Sequence, residues 1–452
     1  MVRIMSNDAG FLSAWMAKQR WYSAKGRSPR LRVKGTLEDS IDGVGITSYL
    51  LIDEASAKPV LYHVPVTFRD EPFTGLENSL IGEVDGRWAY DGPHDPAYAK
   101  ALLRAIGEGR ELSGHDTTAR GHALSSTGRI RGSRVLSGEQ SNTSIICDLD
   151  DGPVPSVIAK VFRVLHHGEN PDVTTQAALT SAGSHRVPTS FGSLEASWPD
   201  SGRPDRRAVG HLAFVQEFLP GLDDAWRVAL SAAAAGEDFT EQAYGLGVAT
   251  AEVHATLARA LPTVEAGPDE IEGAMVSMRR RIDSAAREVP SVAPFADRIR
   301  EIYARVEKGA WPRLQRIHGD FHLGQTLASP ELGWVLLDFE GEPMRPMPER
   351  SRPDATLRDV AGMLRSFDYV AGALEHNNPP VDARAWASAA RKSFVDGYNA
   401  SAGVDIREQR ALLDAFEIDK AVYESLYESR NRPDWLGIPL AAIERLVARS
   451  TA

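Results

Sequence analysis

The sequence predicts an α+β protein: a small N-terminal α/β domain, a strand-rich middle and a mostly helical C-terminal half. Three observations carry this. Apolar runs of strand length occupy residues 46–52, 60–68, 130–136 and 157–162. Beyond about Val228 the apolar residues recur at the 3.6-residue helical period, as in residues 247–261. The 452 residues exceed one compact core, so two or three domains are expected, at 1–112, 113–220 and 221–452.

Composition excludes some partners. A formal charge of −11 argues against nucleic acid, whose phosphates want a basic surface, but leaves room for a nucleotide at a local positive site. The single Cys147 rules out an internal disulfide and fits a reducing compartment. The opening M-V-R-I-M-S-N-D-A-G turns polar at once, too early for a signal peptide or membrane span. A cytoplasmic protein without a membrane partner, monomer or weak homodimer, is expected.

In residues 1–112, Phe11, Leu12, Trp15 and Met16 fall at helical spacing and form one buried face. Q-R-W-Y-S-A-K-G-R (19–27) follows, and Trp21 and Tyr22 read better as packing on the first sheet than as a ligand site. A helix is expected over 97–106. This part carries no chemistry and reads as a cap or docking domain.

A Gly/Ser/Thr-rich stretch, 113–133, marks the expected boundary. The strand at 130–136 then runs into S-G-E-Q-S-N-T-S (137–144), and a further strand follows at 145–149. Two strands closing on a small polar loop can fold backbone amides over phosphates, with Ser141 and Ser144 as candidates, although an ordinary hairpin turn looks similar. V-I-A-K-V-F (157–162) places Lys160 in an apolar strand, which is costly unless an anion meets it. After a phosphate loop, a lysine on the α/β-phosphates is the better reading. H-L-A-F-V-Q-E-F-L-P-G (211–221) is a strand breaking at Pro-Gly. In a two-lobed kinase this is the hinge, whose backbone at Gln216, Glu217 and Phe218 meets adenine, while Asp224 reaches ribose. Asp223 reads as a solvated acid at a helix start.

In the helical half, His254 reads as a satisfied core histidine. I-H-G-D-F-H-L-G-Q-T-L-A-S-P-E-L-G-W-V-L-L-D-F-E-G-E-P (317–343) holds the chemistry. Asp320, Gln325 and Asp338 supply, in order, an acid, a neutral oxygen ligand and a second acid. That set suits phosphoryl transfer: Asp320 takes the proton of an attacking hydroxyl, and Gln325 and Asp338 hold Mg²⁺ under the phosphates of ATP. His318 and His322 read as loop braces, and Glu340 and Glu342 stay open between support and acceptor contact. Arg358, Asp359 and Arg365 on the next helix brace the catalytic loop.

An acceptor face follows at 415–440. Positions 424, 427, 428 and 431 share one helix face. Glu424, Glu428, Arg430 and Trp435, with Asp320, are the candidate acceptor residues. Carboxylates accept sugar hydroxyls, Trp covers a ring's C–H face, and a sugar ammonium gains ~1.5–3 kcal/mol from a buried carboxylate. The alternative is that Glu428 and Arg430 only brace the helix against Asp359 or Arg358.

Q-R-W-Y, E-Q-S-N-T-S, K-V-F, H-G-D-x-H-x-x-Q, D-F-E-G-E-P, R-P-D-x-x-L-R-D-V-A-G-M-L-R-S-F and Y-E-S-R-N-R-P-x-W occur in this order over nearly the whole chain. Together they resemble the aminoglycoside-phosphotransferase-like kinases, and within them the actinobacterial maltokinase-like sugar kinases. The resemblance implies a bilobal kinase fold with an N-terminal cap, Asp320 as base, Gln325 and Asp338 as Mg²⁺ ligands and Lys160 on the phosphates of ATP. One position departs. Maltokinases follow the lysine strand with N-P-D-x-E, and here Thr174 stands where the lysine-pairing Glu belongs. Either another acid substitutes, Glu139 or Asp172, or the nucleotide alone fixes the lysine, and the chain looks closer to the glucosamine kinase branch. The implied reaction makes glucosamine 6-phosphate, with maltose 1-phosphate as the alternative and a nucleotide-sensing pseudokinase as the reading of a different class.

Overall fold

The short apolar runs of the first half pair edge to edge into one antiparallel sheet. The structure, a computed structural model, describes residues 9–136, 142–376 and 380–450. The chain divides into two units, Met1–Ala177 with Pro188–Pro220, and Ala178–Val187 with Gly221–Ala452.

In the first unit, helix α1 (Gly10–Met16) precedes β1 (Leu31–Ile41), β2 (Val44–Asp53), β3 (Val60–Arg69), β4 (Leu80–Val84) and β5 (Arg87–Asp91). Helix α2 (Pro96–Gly107) leads to β6 (Glu111–Ser113), β7 (Thr118–Ala123), β8 (Arg129–Val135), β9 (Asn142–Asp150) and β10 (Ser156–Phe162). Helix α3 (Pro171–Ser181) as far as Ala177, β11 (Ser190–Pro199) and β12 (Arg207–Glu217) complete it. The sheet order is β4-β5-β3-β2-β1-β6-β7-β11-β12-β10-β9-β8.

Strand β2 shows why its run reads as continuously apolar. Successive side chains alternate faces, and both faces are covered. Tyr49 and Leu51 join a core with Leu12, Met16, Trp21 and Tyr22. Ile46 and Leu50 join another with Leu102 and Ile106 of α2. Trp21 and Tyr22 are thus packing residues.

Residues 113–133, expected as a domain boundary, lie inside the first unit. They hold β7 and the start of β8, and the sheet runs on through them. Gly121 serves close approach: a Cβ there would stand 1.9 Å from the Ala105 carbonyl oxygen of α2. Arg163, fully buried, binds Asp91 at 2.8 Å and Thr143 at 2.8 Å, with its guanidinium 4.9 Å from the Trp21 ring centre. Deleting one partner of such a buried pair costs ~3–5 kcal/mol. Cys147, free and buried on β9, has its thiol pushed up to about 12 by burial, with Asp148 adding.

The second unit is helical: α4 (Ala225–Ala235), α5 (Thr240–Ala260), α6 (Pro268–Glu288) and α7 (Ala296–Glu307) precede a hairpin, β13 (Thr326–Ser329) and β14 (Gly333–Leu336). After it come α8 (Met347–Arg350), α9 (Leu357–Glu375), α10 (Arg384–Ala402), α11 (Arg410–Asn431) and α12 (Gly437–Arg449). Helices α5 and α10 touch backbone to backbone, because a Cβ on Gly247 would meet the Phe394 carbonyl oxygen at 2.1 Å and one on Gly397 the Tyr244 oxygen at 2.1 Å. His254 of α5 is a satisfied core residue, bonded to the Tyr398 hydroxyl at 3.0 Å and Asp359 at 3.0 Å. Among the described residues, no helix is long and apolar enough to cross a membrane.

Candidate active site

The residues expected at the nucleotide fall in both units. In the first unit, Lys160 on β10 is 14% exposed and donates to Asp172 Oδ2 at 2.6 Å. Asp172, fully buried in the first turn of α3, accepts from Gln176 Nε2 at 2.6 Å through its other oxygen. An acid there also suits the helix N-terminus. Thr174, two positions on, turns instead to the Asn170 carbonyl at 3.3 Å. The lysine therefore has its acid. Ser144 is buried on β9, in register with Lys160, while Ser141 and Glu139 lie outside the described residues. At the end of β12, the N–H of Glu217 donates to Thr189 O at 2.8 Å and that of Phe218 to Ser156 O at 3.1 Å. Gln216 Oε1 is buried without a hydrogen-bond partner among the described residues.

In the second unit the loop that carries Asp320 is anchored by Asp359 of α9. Its carboxylate accepts the N–H groups of His318 at 2.8 Å and Gly319 at 2.9 Å. Burial pushes this carboxyl up, but the His254 bond, the neighbouring histidines and the Gly319 amide outweigh it and hold it below its ordinary value. His318 Nε2 donates to Leu337 O at 2.7 Å, tying the loop to the end of β14, and its Nδ1 accepts the Asp320 N–H at 3.4 Å. His322 Nδ1 accepts the Gly324 N–H at 3.1 Å, and burial lowers its pKa. Both histidines act as braces.

Asp320 has a partner that no motif announced. Lys420 of α11 donates to Asp320 Oδ1 at 2.9 Å and to Glu342 Oε1 at 3.0 Å. Glu342 also accepts from Arg281 at 3.2 Å; burial alone would raise it, but Lys420, Arg281 and Arg345 hold it well below the carboxylate range. Glu342 is thus a supporting residue. Lys420 lies four positions before Glu424 and shares its helix face, which was the available signal.

Asp320, Lys420, Glu424, Glu428 and Trp435 line one cavity of about 370 Å³, with His322, Tyr369, Tyr423 and Arg432. That volume falls within the roughly 300–1,000 Å³ of small-molecule sites. Glu424 accepts from Arg365 at 2.8 and 2.9 Å, and burial raises its pKa against that guanidinium's pull. Glu428 accepts from Arg432 at 2.6 and 2.9 Å and from the Tyr369 hydroxyl at 3.1 Å. The Trp435 ring lies nearly parallel to those of His376 and Tyr369, with Arg432 4.7 Å from its centre.

Arg430 does not belong with them. It lies roughly 200° round the helix from Glu428, and it pairs with Glu288 at 2.5 Å. Arg432, one turn beyond Glu428, takes the place expected of it. Arg358 braces neither, pairing with Asp354 at 2.8 Å and Asp419 at 2.9 Å. A larger cavity of about 500 Å³, walled by α6, Trp311, Arg345 and Arg352, is reached by the expected brace Arg358 but by none of the candidate catalytic, nucleotide, metal or acceptor residues.

Gln325 and Asp338 meet beside the loop, with Gln325 Nε2 donating to Asp338 Oδ2 at 3.1 Å. Asp338 holds φ +63°, uncommon outside glycine, and one of its oxygens lies within 4.8 Å of one from Glu340. This all-oxygen donor set fits a hard cation such as Mg²⁺ once the Gln325 amide turns its oxygen inward. Asp224 caps α4 by accepting the Arg227 N–H at 2.8 Å, and Asp223 pairs with Arg227 in solvent at 3.2 Å.

A family model described as the maltokinase N-terminal cap domain matches residues 15–95. A glucosamine kinase of Streptacidiphilus jiangxiensis is 30% identical over 338 residues, 70% of this chain and 74% of that protein. One of Mycolicibacterium smegmatis is 27% identical over 390 residues, 82% and 93% of the two chains. A solved glucosamine kinase, in complex with glucosamine, ADP and inorganic phosphate, shares the fold with a TM-score of 0.69 at 24% identity, over 96% of this chain and 98% of its own. On this likeness and the motifs behind it, the chain belongs to the glucosamine kinase family.

Proposed function

We propose that the protein transfers the γ-phosphate of ATP to the 6-hydroxyl of glucosamine, giving glucosamine 6-phosphate and ADP. The observation that carries this is the single cavity joining Asp320 to Glu424 and Glu428. The acceptor hydroxyl donates to Asp320, which takes its proton as the new O–P bond forms and the bridging P–O bond to ADP breaks. The sugar ammonium faces Glu424 or Glu428, and Trp435 lies along the ring.

Lys160 steadies the nucleotide phosphates, held in place by Asp172, and Gln216 Oε1 is a candidate acceptor for the base amine. Gln325 and Asp338 would hold Mg²⁺, which neutralises charge on the phosphates. The pairing of Lys160 with Asp172 removes the one feature, Thr174, that favoured a pseudokinase. We place the reaction in the cytoplasm.

Maltose is the alternative acceptor, and the cap-domain match over residues 15–95 favours it only weakly, because it does not reach the acceptor cavity. A coupled ADP-release assay over glucosamine, glucose and maltose separates the readings. Glucosamine is expected to give the highest kcat/KM, and a maltose preference overturns the assignment. Asp320→Asn is expected to lower kcat by ~10²–10⁴-fold with ATP binding retained; near-normal turnover would remove Asp320 from the role of base.

A further inference from the structure

The contacts of Lys420 reach further than bracing. Its ammonium has three N–H donors, of which two are taken by Asp320 Oδ1 and Glu342 Oε1. The third has no acceptor among the described residues, and the ammonium lies 4.7 Å from the Tyr423 ring centre, on the wall of the acceptor cavity. Its side chain is only 14% exposed.

Lys420 is itself anchored. Glu342 binds Arg281 at 3.2 Å, and Arg281 reaches Asp419 at 2.8 Å, so Asp419, next to Lys420 on α11, is tied to α6. Arg358 of α9 binds Asp419 at 2.9 Å. Three helices therefore fix where this ammonium stands. An ornamental surface lysine has no such foundation.

We infer that Lys420 is a positioning residue for the catalytic base: it holds one oxygen of Asp320 so that the other is presented to the acceptor hydroxyl. Two physical reasons support it. Asp320 and Glu342 share this ammonium, so removing it leaves two carboxylates near one another, and like charges favour uptake of a proton by one of them. A protonated Asp320 accepts no proton from the acceptor. Holding one oxygen also removes the rotational freedom of the carboxylate, which keeps the base aligned with the hydroxyl it serves. The lysine comes from the helix that carries Glu424 and Glu428, so acceptor recognition and base alignment are built on one element.

The inference rests on the kinase reading, and the test keeps the two apart. Wild-type protein is first assayed for ADP release with glucosamine, glucose and maltose; silence with every sugar overturns the kinase reading and this inference with it. With an active wild type, Lys420→Met is expected to lower kcat about a hundredfold while the KM for ATP stays within about twofold. The fall of kcat toward acid pH is expected to begin at higher pH, because the base has lost the cation bonded to it, with Arg350, His322 and Tyr423 the other titratable groups that face it. Lys420→Arg is expected to recover part of the rate and the wild-type acid limb. Lys420→Gln, polar and similar in reach, replaces Met if the Met variant does not fold. Wild-type kcat in the Met or Gln variant, or a loss of rate with an unmoved acid limb that Arg does not relieve, overturns the positioning role.

Discussion

Lys160 Nζ stands 2.6 Å from Asp172 Oδ2, so the lysine of the apolar strand is paired by an acid two positions before the Thr174 that replaces the usual glutamate. Asp172 is wholly buried, which makes the pair expensive to break. Asp172→Asn is expected to raise the KM for ATP about tenfold or more and to lower the melting temperature. Thr174→Glu should do little to either. An unchanged KM for ATP in the Asn variant would sever the acid from the nucleotide.

The metal assignment has its own test. Chelation is expected to stop ADP release, and added Mg²⁺ to restore it. Gln325→Ala and Asp338→Asn should each shift the half-saturating Mg²⁺ concentration upward by roughly tenfold or more. A Mg²⁺ titration superimposable on that of the wild type would show that these oxygens do not bind the ion.

Two arginines two positions apart should behave oppositely. Arg430 makes a half-exposed pair with Glu288, of a kind worth ~0–1 kcal/mol, so Arg430→Ala should leave the KM for glucosamine unchanged. Arg432 holds Glu428, which is buried in the cavity wall. Arg432→Ala should raise that KM several-fold, and the reverse pattern would exchange their roles.

Acid sensitivity should trace in part to His63. Burial, with repulsion from Arg163 second, lowers its pKa from 6.5 to about 3. Below about pH 6.5 the unfolded chain takes a proton that the native state refuses, so stability falls as pH drops from 6.5 toward 3. For one group the slope is at most ~1.4 kcal/mol per pH unit. His63→Gln should lose less melting temperature than the wild type between pH 7 and pH 5. Equal losses would place the sensitivity elsewhere.

The parts legible in the sequence are those whose chemistry lies within a few neighbouring residues. Asp320, Gln325 and Asp338 sit along one loop and its hairpin, and Lys160 is conspicuous as a cation inside an apolar strand. The face carrying Glu424 and Glu428 follows from helical periodicity alone. Arg430 shows what proximity in sequence leaves out, since helix rotation turns it away from Glu428 and toward Glu288. Residues 113–133 show the limit of composition, because glycine that relieves backbone crowding against α2, as at Gly121, looks the same as glycine at a domain boundary.

By itself, the sequence determined the family, the apolar strand that carries Lys160 and the loop that carries Asp320, since each is written in contiguous residues with a local physical meaning. Tertiary structure alone decided which partners those residues take. Lys420 reaches Asp320 from a hundred residues away, Asp359 holds the loop's amides from a distant helix, and Asp172 stands in for the absent glutamate. Such pairings depend on helix rotation and packing register, and a buried charge takes whichever opposite charge the fold brings within hydrogen-bond reach.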